Sequence, residues 1–153
     1  MKIEFSIPGI PVTKGRARHT NRGFAYTPAK TREAENDFIS LARQYLPEKI
    51  NSEHPVQLDM RFFFRIPSSY PKWKQYIMSG DCWQHTTTPD LDNVTKLVMD
   101  AMTKLGFWKD DRYVNAVTAG KFYSPNPRTE VQVTYDPIMT RKGLIQFKEP
   151  LDV

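Results

Sequence analysis

At 153 residues the chain is long enough for one domain with a real core and too short for two comfortable ones. An apolar fraction of 39% points to an ordered globular fold, and a formal net charge of +5 points to an anionic partner, of which nucleic acid is the commonest. A single cysteine, Cys82, excludes an internal disulfide and a zinc site built from paired thiolates. No apolar run approaches the roughly 18 residues that span a bilayer, and the start MKIEFSIPGIPV is too short and proline-broken for a signal peptide. A soluble, cytoplasmic protein with no membrane partner is expected.

Residues 2–7 alternate polar and apolar like a half-buried strand, which Pro8-Gly9 ends. A loop rich in glycine and basic residues follows, with Lys14, Arg16, Arg18, His19 and Arg22 inside nine positions and Phe24 and Tyr26 just after. Pro28, with Thr27 as N-cap, opens a helix that runs to about Tyr45. Its apolar positions are Ala34, Phe38, Leu41, Ala42 and Tyr45, and Pro47 stops it. Residues 56–66 read as a second strand, with Leu58, Met60, Phe62 and Phe64 on one face and Asp59, Arg61, Phe63 and Arg65 on the other. The stretch 67–88 has no clear period and reads as loop with at most one short helix, a length that argues for function or mobility. A strong helix covers 91–105, with Val94, Leu97, Val98, Ala101, Met102 and Leu105 as its stripe and Gly106 placed to end it. Strands at about 113–123 and 130–135 flank an SPNPR turn. The order β-α-β-α-β-β predicts a single α/β domain over 1–137, a mixed sheet packed by two main helices. A weakly patterned C-terminal tail, 138–153, follows it.

The chemistry concentrates in PDLDNVTKLVMDAMTKLGFWKDD, residues 89–111. Asp90 and Asp92 stand at the mouth of the second helix, and Asp110 and Asp111 lie just past its end. Carboxylates gathered in one site repel each other, and a hard divalent cation resolves that repulsion. Mg²⁺ prefers oxygen ligands and is commonly held by one or two carboxylates plus substrate phosphate. Such an ion can activate a water and stabilise charge on a scissile phosphodiester. Lys96, four residues after Asp92, can neutralise the phosphate or the leaving oxygen. The same residues also suit plainer roles: helix capping at Asp90, an i,i+4 chain of ion pairs through Asp92, Lys96 and Asp100, and turn chemistry at Asp110-Asp111. Spacing alone leaves both readings open.

The stretch PDLDNVTKLVMDAMTKLGFWKDDRYV resembles the signature of the RusA family of Holliday-junction resolvases. It carries an aspartate pair in D-L-D-N, a lysine four residues after the second, a D-A step, and G-F-W-K-D-D, in order and without a gap. The segment IPGIPVTKGRARHTNRGFAYTPAKTREAE is similar to the start of members from Gram-positive bacteria and their phages, so the likeness covers roughly residues 3–135. It implies that Asp90, Asp92 and Asp111 are the metal-binding catalytic carboxylates, Lys96 the essential lysine, and Asp110 a supporting residue. It further implies a homodimer of mixed α/β fold that needs Mg²⁺ or Mn²⁺ and makes paired, symmetric cuts in branched DNA. Two matched cuts across a two-fold junction call for two equivalent active sites.

Lys14, Arg16, Arg18 and Arg22, interleaved with Gly15 and Gly23, read as a phosphate clamp for DNA, with Phe24 or Tyr26 able to stack on an exposed base. Lys72 and Lys74 around Trp73 are a second candidate contact. His19, His54 and His85 show no ligand spacing. Two other functions compete. A non-catalytic, structure-selective DNA-binding protein would have no use for Asp90, Asp92 and Asp111, whose charge weakens DNA binding unless a metal offsets it. A sugar-nucleotide enzyme using Asp90-x-Asp92 would need a larger nucleotide-binding domain than this length allows. The expected function is therefore metal-dependent junction resolution in recombination and repair.

Overall fold

Apolar alternation in the second predicted strand sets the architecture. The computed structural model describes residues 1–13, 18–23, 25–26, 29–47 and 52–147, with backbone alone at 18–19 and 25–26. Strand β1 is Lys2–Pro8, β2 Arg18–His19 and β3 Ala25–Tyr26; helix α1 is Ala29–Ala42, extended by one 3-10 turn to Tyr45. Strand β4 is Val56–Arg65, α2 Lys72–Met78 and α3 Leu91–Leu105. Strands β5 (Val114–Ser124), β6 (Arg128–Tyr135), β7 (Ile138–Thr140) and β8 (Gly143–Ile145) complete the order. The main sheet runs β1-β6-β4-β5, with β6 antiparallel to both β1 and β4, and β4 parallel to β5.

Leu58, Met60, Phe62 and Phe64 of β4 enter the core beneath α1 and α3, where they meet Val94, Leu97, Val98, Ala101 and Met102. Helix α3 has the predicted bounds, and Gly106 ends it in the left-handed conformation (φ 88°), donating to the Met102 and Thr103 carbonyls. On the opposite face Phe63 is also buried, under the Arg128 guanidinium at 3.9 Å from its ring centroid. Helix α1 departs from its predicted stripe. Leu41 is exposed, whereas Glu35 is buried and takes an ion pair at 2.7 Å from Lys104 of α3. A cation supplied by the neighbouring helix admits a carboxylate on the inner face, which spacing within α1 could not reveal.

The stretch 67–88 holds the short helix α2, and residues 83–85 then lie along β5: Tyr123 N–H donates to the Trp83 carbonyl at 2.9 Å and His85 N–H to that of Lys121 at 3.0 Å. Beyond the expected end of the domain, β7 and β8 form an antiparallel hairpin, and Phe147 stacks on Tyr135 with ring centroids 4.3 Å apart. The predicted helix start at Thr27 and Pro28 lies outside the described residues.

Candidate active site and nucleic-acid surface

Parallel strands β4 and β5 are joined through α3, so α3 runs from the carboxyl end of β4 back to the amino end of β5. Its mouth therefore sits at the carboxyl end of the two strands. Asp90 occupies the N-cap position in extended conformation, yet its exposed carboxylate makes no capping hydrogen bond. Asp92, in the first turn, and Lys96, one turn on, are exposed as well, and neither forms an ion pair with a described residue. The side-chain capping role that sequence allowed for Asp90 is not the one it plays.

The approach to Asp90 is held by a residue that sequence reading passed over. Lys121, pointing from β5 to the helix side of the sheet, donates its ammonium to the Thr87 carbonyl at 2.7 Å and to the Pro89 carbonyl at 2.6 Å. Beside it His85 is buried and stacked on Phe64, with centroids 4.1 Å apart, and its Nε2 lies 3.2 Å from the Thr87 hydroxyl. Burial, and next the Lys121 charge, hold the His85 pKa below its ordinary value. Burial likewise pushes the neighbouring Tyr123 phenol up.

Asp111 is elsewhere. It begins a 3-10 turn, and its carboxylate accepts from the Thr103 hydroxyl and, at 3.4 Å, from the Trp108 indole N–H. That indole, fully buried, donates to the Thr103 oxygen at 2.7 Å. Asp110 caps the turn, accepting from the Arg112 N–H at 2.9 Å. Thr103 follows Asp92 by eleven positions, which at 1.5 Å rise per residue is about 16 Å along α3. Asp90 and Asp92 thus share one end of α3, while Asp111 sits at the other. Among the described residues no group of three or more His, Cys, Asp or Glu side chains could hold one metal ion. Strand β5 does run back along α3, but Asp111 precedes it and is left behind at the start.

Of the predicted phosphate clamp, Lys14 and Arg16 lie outside the described residues, as does Phe24. Arg18 falls on β2, paired with Tyr26 of β3, where only backbone is described. Arg22 is exposed in the turn closed by Gly23 N–H to the Thr20 carbonyl, 2.9 Å. Lys72, Trp73 and Lys74 form the first turn of α2.

The family model for endodeoxyribonuclease RusA matches residues 8–134, a span that contains both acidic ends of α3 together with Lys96, Thr103, Trp108 and Lys121. The chain belongs to the RusA family. It is 35% identical over 136 residues to the uncharacterized protein YqaN of Bacillus subtilis (strain 168), covering 86% of this chain and 94% of that one. It is 27% identical over 141 residues to the crossover junction endodeoxyribonuclease rusA of Lactococcus phage r1t, covering 87% and 96%. As a RusA-family member it is an endodeoxyribonuclease. No helix among its described residues is long and apolar enough to cross a membrane.

Proposed function

We propose that this chain resolves four-way DNA junctions in recombination and repair, by hydrolysing a symmetric pair of phosphodiesters as a Mg²⁺-dependent homodimer, with Mn²⁺ able to substitute. The observation that carries the reading is the mouth of α3. Two exposed carboxylates, Asp90 and Asp92, have no partner among the described residues, and Lys96 follows one turn later in a RusA-family chain. Aspartates kept only for capping would be engaged with backbone N–H groups.

Two carboxylates with water and substrate phosphate suit a hard divalent cation, so Asp90 and Asp92 fit Mg²⁺. When bound, the ion would supply an activated water and neutralise charge on the scissile phosphate. Lys96 would meet the phosphate oxygens, and Lys121, acting through the Thr87 and Pro89 carbonyls, would keep Asp90 in place. Lys14, Arg16, Arg18 and Arg22 would hold flanking phosphates.

Asp111 does not fit the same site within one protomer, and a two-fold dimer offers a remedy. The outer edge of β5 is met by residues 83–85 only around 121–123, which leaves 114–120 without a described partner strand. Antiparallel pairing of two such edges about Val117 would set Tyr113 of one copy opposite Lys121 of the other. Asp111 of the first would then approach Asp90 and Asp92 of the second. A non-catalytic DNA-binding protein would gain nothing from unpaired carboxylates facing a polyanion.

The test is a heterodimer of Asp92→Asn and Asp111→Asn chains, purified through two different tags. Each parent homodimer should be inactive, whereas the heterodimer should nick one strand per junction, because one of its shared sites is intact. A heterodimer as inert as its parents would place all the carboxylates of a site in one chain.

A further inference from the structure

We infer that the outward face of α2 is a stacking platform for unpaired bases at the branch point of junction DNA, a deepening that rests on the resolvase reading. Helix α2 buries only Met78, while Trp73, Tyr76 and Ile77 are 66%, 81% and 49% exposed. Their i, i+3, i+4 spacing places all three on one face. A seven-residue helix with one buried side chain is not held by its own apolar burial, and polar contacts fix it instead. The Gln75 amide donates to the Tyr70 carbonyl at 2.7 Å, and the Lys74 ammonium lies 3.8 Å from the Tyr70 ring centroid. Beyond its far end, Asp81 is clasped by Arg128 at 3.1 Å, and that guanidinium also bonds Glu130 at 2.9 Å. The aromatic side chains are thus presented outward by a segment secured at both ends.

Two observations select DNA as the occupant. The first is charge: residues 65–80 contain Arg65, Lys72 and Lys74 and no Asp or Glu. Aromatic faces set among cations suit bases joined by phosphates, whereas a second copy of the same basic segment would be repelled. The second is position. Helix α2 follows the carboxyl end of β4, the end of the sheet at which Asp90 and Asp92 stand. The chain leaving α2 returns along β5 through Trp83 and His85, and the His85 Nε2 lies 3.2 Å from the hydroxyl of Thr87 in the Asp90 loop. The platform therefore adjoins the proposed cutting site, where the strands of a junction exchange and bases are least stacked.

The experiment uses the full-length dimer in EDTA, with a four-way junction carrying 2-aminopurine at the branch point and a linear duplex of the same sequence. For Trp73→Ala/Tyr76→Ala, junction affinity should fall about tenfold or more, since each stacked base contributes about fivefold or more. Affinity for linear duplex should change less than about twofold. The protein-induced change in 2-aminopurine fluorescence should be lost, and Trp73→Phe/Tyr76→Phe, which keeps the rings, should restore both signals. Circular dichroism confirms that the variants are folded. Junction affinity and fluorescence unchanged in the alanine variant would overturn the inference, and so would a loss of the dimer in sedimentation velocity, which would make the patch a protein interface. Cutting by the wild type with Mg²⁺ is scored separately: wild-type cutting with indifferent α2 variants refutes the platform alone, and absence of wild-type cutting refutes the resolvase reading.

Discussion

Replacing Thr103 by valine isolates the positioning of Asp111. The Thr103 hydroxyl has one proton and two acceptors within reach, the Asp111 carboxylate and the Met99 carbonyl at 2.9 Å, while its oxygen receives the Trp108 indole N–H. Valine preserves the volume, so no cavity term enters. What is lost is the partner of a fully buried indole N–H, whose remaining acceptor is Asp111 at 3.4 Å. An unsatisfied buried donor costs about 1–3 kcal/mol, and relaxation toward Asp111 places this case near the lower half, about 1–2 kcal/mol. For a chain of this size that lowers Tm by about 2–8 °C. Without its hydroxyl donor the Asp111 carboxylate is held by the Trp108 indole alone and is drawn off its position, so the cutting rate should fall about tenfold or more while junction affinity in EDTA holds. Thr103→Ser, which keeps the hydroxyl, should recover the rate. Urea titration and single-turnover cutting measure the two effects. A valine variant within about 0.3 kcal/mol of wild type and equally fast would refute both the Trp108–Thr103–Asp111 chain and the catalytic role of Asp111.

Lys121→Met removes the ammonium that bridges the Thr87 and Pro89 carbonyls but keeps the apolar stem; it should cost about 1–3 kcal/mol because water can reach part of the vacated site. Its larger effect should be on rate, at least about tenfold at unchanged junction affinity in EDTA, since Asp90 follows Pro89 directly; an unchanged rate would remove Lys121 as a positioning residue. The folded pKa of His85 lies below the 6.5 of the unfolded chain, so the unfolded state binds more protons in that window. Its contribution to stability is full above pH 6.5 and is lost as pH falls toward the folded value. His85→Phe, which keeps a ring against Phe64, should flatten this loss between pH 7.5 and 5 in urea titrations; an equal loss in both proteins would exonerate His85.

Where physics is local, the sequence was legible. Helix α3 kept its predicted bounds because a six-residue apolar stripe and a terminal glycine act within the helix itself. The faces of β4 followed because alternation assigns each side chain without reference to partners. The burial of Glu35 was not legible because the deciding partner, Lys104, comes from another helix. Helix α2 showed no period because its large aromatic side chains face outward, which inverts the usual rule. The acidic residues were legible as types at a spacing, but not as a place. Nineteen positions separate Asp92 from Asp111, and only the course of α3 shows that they end on opposite ends of it. Lys121 looked like an ordinary polar residue in a strand, since its partners are carbonyls more than thirty positions away.

The most direct measurement incubates the protein with an end-labelled four-way junction and a matched linear duplex, first with Mg²⁺ and then with EDTA. Paired nicks are expected at symmetry-related positions on the junction alone, abolished by EDTA and by Asp90→Asn or Asp92→Asn with binding retained. Tight junction binding without cutting under Mg²⁺ or Mn²⁺, or nicking that survives loss of Asp90 and Asp92, would contradict metal-dependent resolution at the mouth of α3.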